Sequence, residues 1–180
     1  TGTAEKPVDI RTETLELHCP SKAFTDLNTN QWYHEGVDYV LEQELMIGMS
    51  NTQFAPNGTM TRGQLMTVLH RTAGEPETKG QSPFADVKAG KYYTEPIAWA
   101  FETGIAKGMT ATAFAPNAPV TREQMVTILH SYAESCKYNV TAQKDLSAFT
   151  DAGQISAFAV ESMQWAVAEG LVTGTSDSTL

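Results

Sequence analysis

Apolar positions recur three and four residues apart in several short stretches of the chain. Tyr33, Val37, Val40 and Leu41 form one such stripe, and Leu65, Val68 and Leu69 a second. Ile97, Phe101 and Ile105 make a third, Met125, Ile128 and Leu129 a fourth, and Val160, Met163 and Val167 a fifth. This spacing places each set on one face of a helix, so the pattern predicts five helices and an all-α fold. Gly48 follows the first stripe as a C-terminal punctuator, and Thr61 and Thr121 open the second and fourth helices. Between helices, the tetrapeptide Phe-Ala-Pro-Asn at 54–57 and again at 114–117 reads as a turn, with Pro fixing φ and Asn tolerating left-handed geometry. The segment VDIRTETLELHC (8–19) is rich in Thr and β-branched residues, and it reads as a strand or an extended linker.

The stripes belong to a period. MTRGQLMTVLH (60–70) returns as VTREQMVTILH (120–130), and residues 24–72 lie over 84–132 without a gap. Eighteen of those 49 positions are identical, including Phe24, Asp26, Gly48, Phe54, Pro56, Thr61, Arg62, Gln64 and His70. A third copy begins near Phe149. Phe149 and Asp151 answer Phe84 and Asp86 at an offset of 65, and Trp165, Gly170 and Gly174 answer Trp99, Gly104 and Gly108 at 66. The implied organisation is a linker or tail of a preceding domain (1–20), repeat 1 (21–73), a linker (74–83), repeat 2 (84–136), a linker (137–148) and an incomplete repeat 3 (149–180). The third copy runs to Leu180 without the Pro turn, the Thr-Arg motif or a second helix. One helix pair cannot bury its apolar face alone, so the copies are expected to pack on one another. The incomplete copy is further expected to leave an apolar face inviting another subunit or a swapped helix.

The Thr-Arg motif divides into two parts. Thr61 with Gln64, and Thr121 with Gln124, have the spacing of a capping box. The hydroxyl takes the amide proton three residues on, and the Gln side chain reaches back. Arg62 and Arg122 fall at the first helical position, where a cation meets the positive end of the helix dipole. Two roles fit an Arg there. It pairs with a carboxylate of a neighbouring repeat, or it receives an outside anion, since a helix N-terminus beside a guanidinium fork suits carboxylate or phosphate.

Composition narrows the functional classes. Of 180 residues, 41 % are hydrophobic and 9 % aromatic, as in ordinary globular proteins. A formal charge of −9, with 12 scattered basic residues, argues against nucleic acid. No stretch approaches the roughly 18 apolar residues of a membrane span, so no membrane insertion is expected. Cys19 and Cys136 make no disulfide framework, and no Cys-x-x-Cys pair signals a metal. His70 and His130 occupy one position of the repeat without helical neighbours to complete a metal site, and read as packing or groove-rim residues. No Gly-x-Ser-x-Gly occurs and no carboxylate pair stands apart, so neither catalysis nor a cofactor is expected.

The segment FTDLNTNQWY…GMSNTQFAPNGTMTRGQLMTVLHR resembles an S-layer homology repeat. It shows the opening Phe-x-Asp, an aromatic-led first helix, a Gly-flanked turn, Phe-x-Pro, and a Thr-Arg-Ala-Glu-type motif heading the second helix. The resemblance covers residues 24–180. It implies a pseudo-threefold bundle with grooves between neighbouring repeats, and non-covalent anchoring of exported proteins to secondary cell-wall polymers, commonly pyruvylated. The family's binding Arg carries over to Arg62 and Arg122, and its Thr to Thr61 and Thr121. Its Glu is Gln64 and Gln124 here, while its Ala is Gly63 and Glu123; Glu123 is placed to tie up Arg122. Trp32 and Tyr92 are candidates to stack on a sugar, and Asp26, Asp86 and Asp151 read as turn caps. The expected partner is an anionic wall glycan, with peptidoglycan or a second chain of the same kind as alternatives, in an extracellular, wall-associated setting. The rival readings are an assembly module of a surface layer and the anchor of a larger secreted enzyme.

Overall fold

The computed structural model describes residues 19–79, 81–176 and 178–180. Among the described residues five helices form: α1 (His34–Glu42), α2 (Arg62–Thr72), α3 (Thr94–Glu102), α4 (Arg122–Ser135) and α5 (Val160–Ala168), with short 3-10 turns at Pro20–Ala23 and Ala152–Gln154. Among the described residues, β pairing is confined to two isolated bridges, Thr61 with Pro119 and Ser176 with Thr179. The chain is therefore all-α. The strand or extended linker expected over 8–19 lies outside the described residues, Cys19 excepted. The chain separates into two compact units, unit 1 through Pro56 and unit 2 from Asn57.

Within unit 1, α1 packs against the Pro20–Ala23 turn. Within unit 2, α2 packs on α3 and α4 on α5, so each pair joins the second helix of one copy to the first helix of the next. Leu65, Met66, Leu69, Phe84, Ile97, Trp99, Ala100 and Phe114 form the α2–α3 core. Val126, Met163, Trp165, Ala166 and Val172, with half-buried Leu129, Phe149 and Leu180, repeat it between α4 and α5.

The narrow stripes read from the sequence are too narrow. All of Pro96–Ala100 is buried, as is Trp165–Val167, while Phe101 is 42 % and Val160 39 % exposed. Runs of consecutive buried residues cover most of a helix's circumference, which happens when a helix is packed on more than one side. Met66 (fully buried) takes the place expected of Val68, which is half-buried.

Both capping boxes form. Thr61 Oγ1 accepts from the Gln64 amide at 3.2 Å, and Gln64 Oε1 accepts from the Thr61 amide at 2.8 Å. Thr121 and Gln124 repeat this at 3.2 and 3.5 Å. Asp26 and Asp86 cap the Phe-Ala-Pro turns, and Asp151 meets the amide at the equivalent position of the third copy. Asp26 accepts from the amides of Phe54 (2.9 Å) and Ala55 (2.7 Å), Asp86 from Phe114 (2.9 Å) and Ala115 (2.7 Å), and Asp151 from Leu180 (3.0 Å). The left-handed residue of the turn is Ala rather than Asn, at φ 62° for Ala55 and 59° for Ala115. A side chain there is strained, and the carboxylate bond to that same amide holds it in place.

Arg62 joins the first copy to the second. It is 4 % exposed. Its Nε donates to the Phe114 carbonyl at 2.9 Å, Nη2 to the Lys107 carbonyl at 3.1 Å and Nη1 to Gln124 Oε1 at 3.2 Å, and the guanidinium lies 4.5 Å above the Phe114 ring. The first amides of α2 are also used: Arg62 N donates to Ala118 O at 2.9 Å and Gly63 N to Pro116 O at 2.8 Å. Gly63 is obligatory here, because a Cβ would stand 2.9 Å from Pro116 O and 3.2 Å from the Tyr93 side chain.

Arg62→Ala would strand the Lys107 and Phe114 carbonyls and open a cavity, so a loss of about 2–4 kcal/mol is expected, whereas Arg122→Ala at an exposed site should change stability by about 0.5 kcal/mol or less. Paired urea denaturation curves compare the two, and equal losses would show that burial of Arg62 carries no energetic weight. The Asp26 carboxyl is held below its ordinary value by the Phe54 and Ala55 amides; at Asp86 burial pushes upward, but the Phe114 and Ala115 amides outweigh it. A lowered folded-state pKa contributes stability that is complete above the unfolded value, roughly 4, and disappears as pH falls through the folded value. The denaturation midpoint is expected to be flat from about pH 5 to 7 and to fall below about pH 4, with Asp86→Asn shrinking that fall. An acid limb of the same size in the variant would remove Asp86 from the account.

Candidate functional site

The two arginines of the motif occupy different environments. Arg62 is enclosed in unit 2, its fork directed at carbonyls, and the α2 amides that would cradle an anion already face Pro116 and Ala118. Burial pulls its pKa down from the ordinary value, and the charge of Asp86 opposes the shift. The structure therefore does not offer Arg62 to solvent, and its internal partners are carbonyls and an amide rather than a paired carboxylate. Arg122 is exposed. Its Nη2 donates to Thr173 O at 2.8 Å, the counterpart of the Arg62–Lys107 bond one repeat on.

Glu123 does not tie up Arg122. Its carboxylate accepts from the Ser156 amide at 2.7 Å and from Ser156 Oγ at 2.8 Å. Two differences between copies go together here. Where the α2 junction has Gly63 against Tyr93, the α4 junction has Glu123 where Ala159 replaces the tyrosine. A shallow cleft of about 130 Å³ lies beside Arg122, lined also by Glu123, Asp151, Gln154, Ile155, Met163 and Leu180.

Gln124 serves both cap and core, since the same Oε1 closes the α4 box and accepts from Arg62. Thr61, Thr121 and Gln64 lie in the caps described above. Trp32 is 91 % exposed and Tyr92 56 %. Each meets the following tyrosine edge-on, Trp32 with Tyr33 at 5.8 Å and Tyr92 with Tyr93 at 5.0 Å between centroids. Phe158, 59 % exposed, is the same position of the third copy. The one-residue insertion before Trp165 hides that correspondence unless the third copy is aligned at an offset of 66. Tyr92 also borders the larger cleft of unit 2, about 410 Å³, with Lys91, Arg71, Thr67, Glu75 and Glu95 among its walls.

His70 and His130 lie in packing positions. His70 stacks edge-on with Trp99 at 5.3 Å and His130 with Trp165 at 5.1 Å, and both are buried. His70 Nε2 donates to Pro76 O at 2.9 Å, so that ring carries its proton on Nε2. Cys19 and Cys136 are both free thiols.

The family model of the S-layer homology domain matches residues 23–66, 83–126 and 148–180. The Surface-layer 125 kDa protein of Lysinibacillus sphaericus is 34 % identical over 140 residues, 78 % of this chain and 11 % of that protein. An Endoglucanase of Bacillus sp. (strain KSM-635) is 32 % identical over 86 % of this chain and 16 % of the enzyme. An Amylopullulanase of Thermoanaerobacterium thermosulfurigenes is 30 % identical over 85 % of this chain and 8 % of the enzyme. The chain thus spans a small fraction of the length of each of these relatives, and surface-layer proteins and polysaccharide-degrading enzymes share the segment. With the three matches falling one after another in the register of its own internal repeat, the chain belongs to the S-layer homology family.

Proposed function

We propose that this chain is a non-catalytic anchoring module that binds an anionic secondary polysaccharide of the bacterial cell wall, pyruvylated sugars being the class its surface suits. It acts outside the cell, holding to the wall whatever larger protein carries it, in the manner of a surface-layer protein or a wall-bound polysaccharidase. The observation that carries this reading is the outward aromatic of each copy. Trp32, Tyr92 and Phe158 are all largely exposed at one repeat position, where core packing gives no reason for an aromatic. Flat apolar rings of this kind cover the apolar faces of sugars. Tyr92 has Lys91 and Arg71 in the same cleft, and Arg122 presents a guanidinium at the head of α4. A pyruvate ketal brings a carboxylate on a sugar, a group that a guanidinium receives through two parallel hydrogen bonds. Arg62, Thr61, Gln64, Thr121 and Gln124 then act by holding the helix starts in register, rather than by meeting ligand directly. The net charge of −9 opposes an anionic polymer at long range, so attraction is confined to about one Debye length around these cations.

Association of the surfaces of two such chains is the second reading, favoured by the exposed Phe158, Val160 and Leu171 of the third copy.

Co-sedimentation of the purified chain with Gram-positive wall sacculi tests the reading, before and after acid removal of the secondary polymer. Binding is expected to be lost on removal. Tyr92→Ala or Arg122→Ala should weaken binding to intact sacculi by about 5- to 20-fold, about 1–2 kcal/mol per contact, with unchanged urea midpoints. Binding that survives stripping would assign peptidoglycan as the ligand instead. A chain that ignores both sacculi yet elutes as a dimer would favour the second reading.

A further inference from the structure

Cys19 meets His34 and Asp38 at one point in unit 1. His34 and Asp38 lie one turn apart on α1, and Cys19 immediately precedes the Pro20–Ala23 turn that packs on that helix. Cys19 Sγ is 3.2 Å from His34 Nε2, and the same Nε2 is 3.0 Å from Asp38 Oδ2. One ligand atom from each residue falls within 4.8 Å of the other two. All three residues are half-buried, and the His34 and Asp38 side chains are 25 % and 17 % exposed.

The arrangement excludes one use and fits another. An acid–base relay through histidine needs the nucleophile on one ring nitrogen and the carboxylate on the other. Here thiol and carboxylate converge on Nε2, so the ring cannot pass a proton between them. Three different donor atoms around one point form the face of a coordination polyhedron. With metal–sulfur bonds of about 2.3 Å and metal–nitrogen or metal–oxygen bonds of about 2.0 Å, tetrahedral geometry places neighbouring ligand atoms about 3.3–3.5 Å apart. The 3.0 and 3.2 Å separations are within a few tenths of that. The Ser21 amide donates to the other carboxylate oxygen, Oδ1, at 2.8 Å. That bond aims Oδ2 at the cluster, the outer-shell support that metal ligands characteristically receive.

We propose that Cys19, His34 and Asp38 bind a single Zn²⁺-class divalent cation, with a fourth position left for water. A thiolate, an imidazole and a carboxylate together select a borderline cation, whereas Ca²⁺ and Mg²⁺ take oxygen ligands. The cation clamps the turn at Pro20–Ala23 to α1. Unit 1 has reason for such a clamp: among its described residues Val37 is the one buried hydrophobic side chain. A bound metal supplies folding energy where so little apolar surface is buried.

The test uses the full chain, reduced and freed of metal by a strong chelator, then titrated with Co²⁺ as a spectroscopic probe and with Zn²⁺ as competitor. One Co²⁺ per chain is expected, with intense tetrahedral d–d bands and a thiolate-to-metal charge-transfer band, both erased by Zn²⁺. Cys19→Ser should abolish the charge-transfer band. His34→Gln and Asp38→Asn should weaken Co²⁺ binding by at least the roughly 10- to 100-fold that even outer-shell changes cause. Cys136→Ser should alter neither. Asp38→Asn is nearly isosteric, and circular dichroism of each metal-free variant separates lost binding from lost fold. The proposal is overturned by a charge-transfer band that survives Cys19→Ser, by its loss in Cys136→Ser, or by no tetrahedral Co²⁺ spectrum in the unmodified chain.

Discussion

A guanidinium withdrawn from water must have its donors met, or the cost of burial exceeds what packing returns. Arg62 meets this condition only if the second copy presents the carbonyls of Lys107 and Phe114 at fixed positions. The Phe114 carbonyl is fixed in turn because Asp86 holds the amides of Phe114 and Ala115 from the opposite side. Carboxylate, strained turn and guanidinium thus form one polar chain, with Asp86 lending its charge to the buried cation. The Thr61 cap sets where α2 begins, and so where Arg62 points. Shifting any one of these elements leaves a buried donor or acceptor unpaired, which is how an interface between two small helix pairs acquires a single register.

The same motif has a different outcome one copy on. Arg122 keeps the bond equivalent to that with Lys107, to Thr173, yet it is exposed. Around it the packing is rebuilt, with Glu123 for Gly63 and Ala159 for Tyr93, and Glu123 reaching Ser156. Duplication therefore supplied two identical side chains, and the neighbours decided which became structural. A charge in a cavity and a charge on a surface cannot be told apart from the four letters of the motif, because burial is a property of the facing segment.

This explains which parts were legible in the sequence. The starts of α2 and α4 were, because a capping box is settled within four residues. The aspartate caps were too, since Phe-x-Asp recurs in all three copies and its Phe-Ala-Pro turn in the first two. The packing of copies on one another was legible too, since one helix pair cannot bury its apolar face alone; which helices meet was not, and in unit 2 α2 takes α3 and α4 takes α5. Nor could the breadth of the buried faces be read, because Trp99 and Trp165 lie off the narrow stripe and are covered by a second side of packing. The burial of Arg62 depends on residues 45 and 52 positions away, beyond any local rule. The convergence of Cys19 with His34 and Asp38 was half visible, as a His and an Asp four apart on one helix face, while the approach of the cysteine depends on the intervening turn.

With Arg62 claimed by the interior, the exposed aromatics are the repeated positions that packing does not explain. Tyr33 and Tyr93 have become Ala159 in the third copy, so even a contact near the core was free to change. The preceding position changed chemistry from Trp32 to Tyr92 to Phe158, yet remained aromatic and largely exposed in every copy. An indole, a phenol and a benzyl ring share no hydrogen-bonding pattern; they share a flat apolar face. Holding three such faces in water is unfavourable, and the fold gains little from them beyond an edge contact with the next ring. What is common to the three copies is therefore the face itself, which is the feature that the proposed binding of a wall polysaccharide would use.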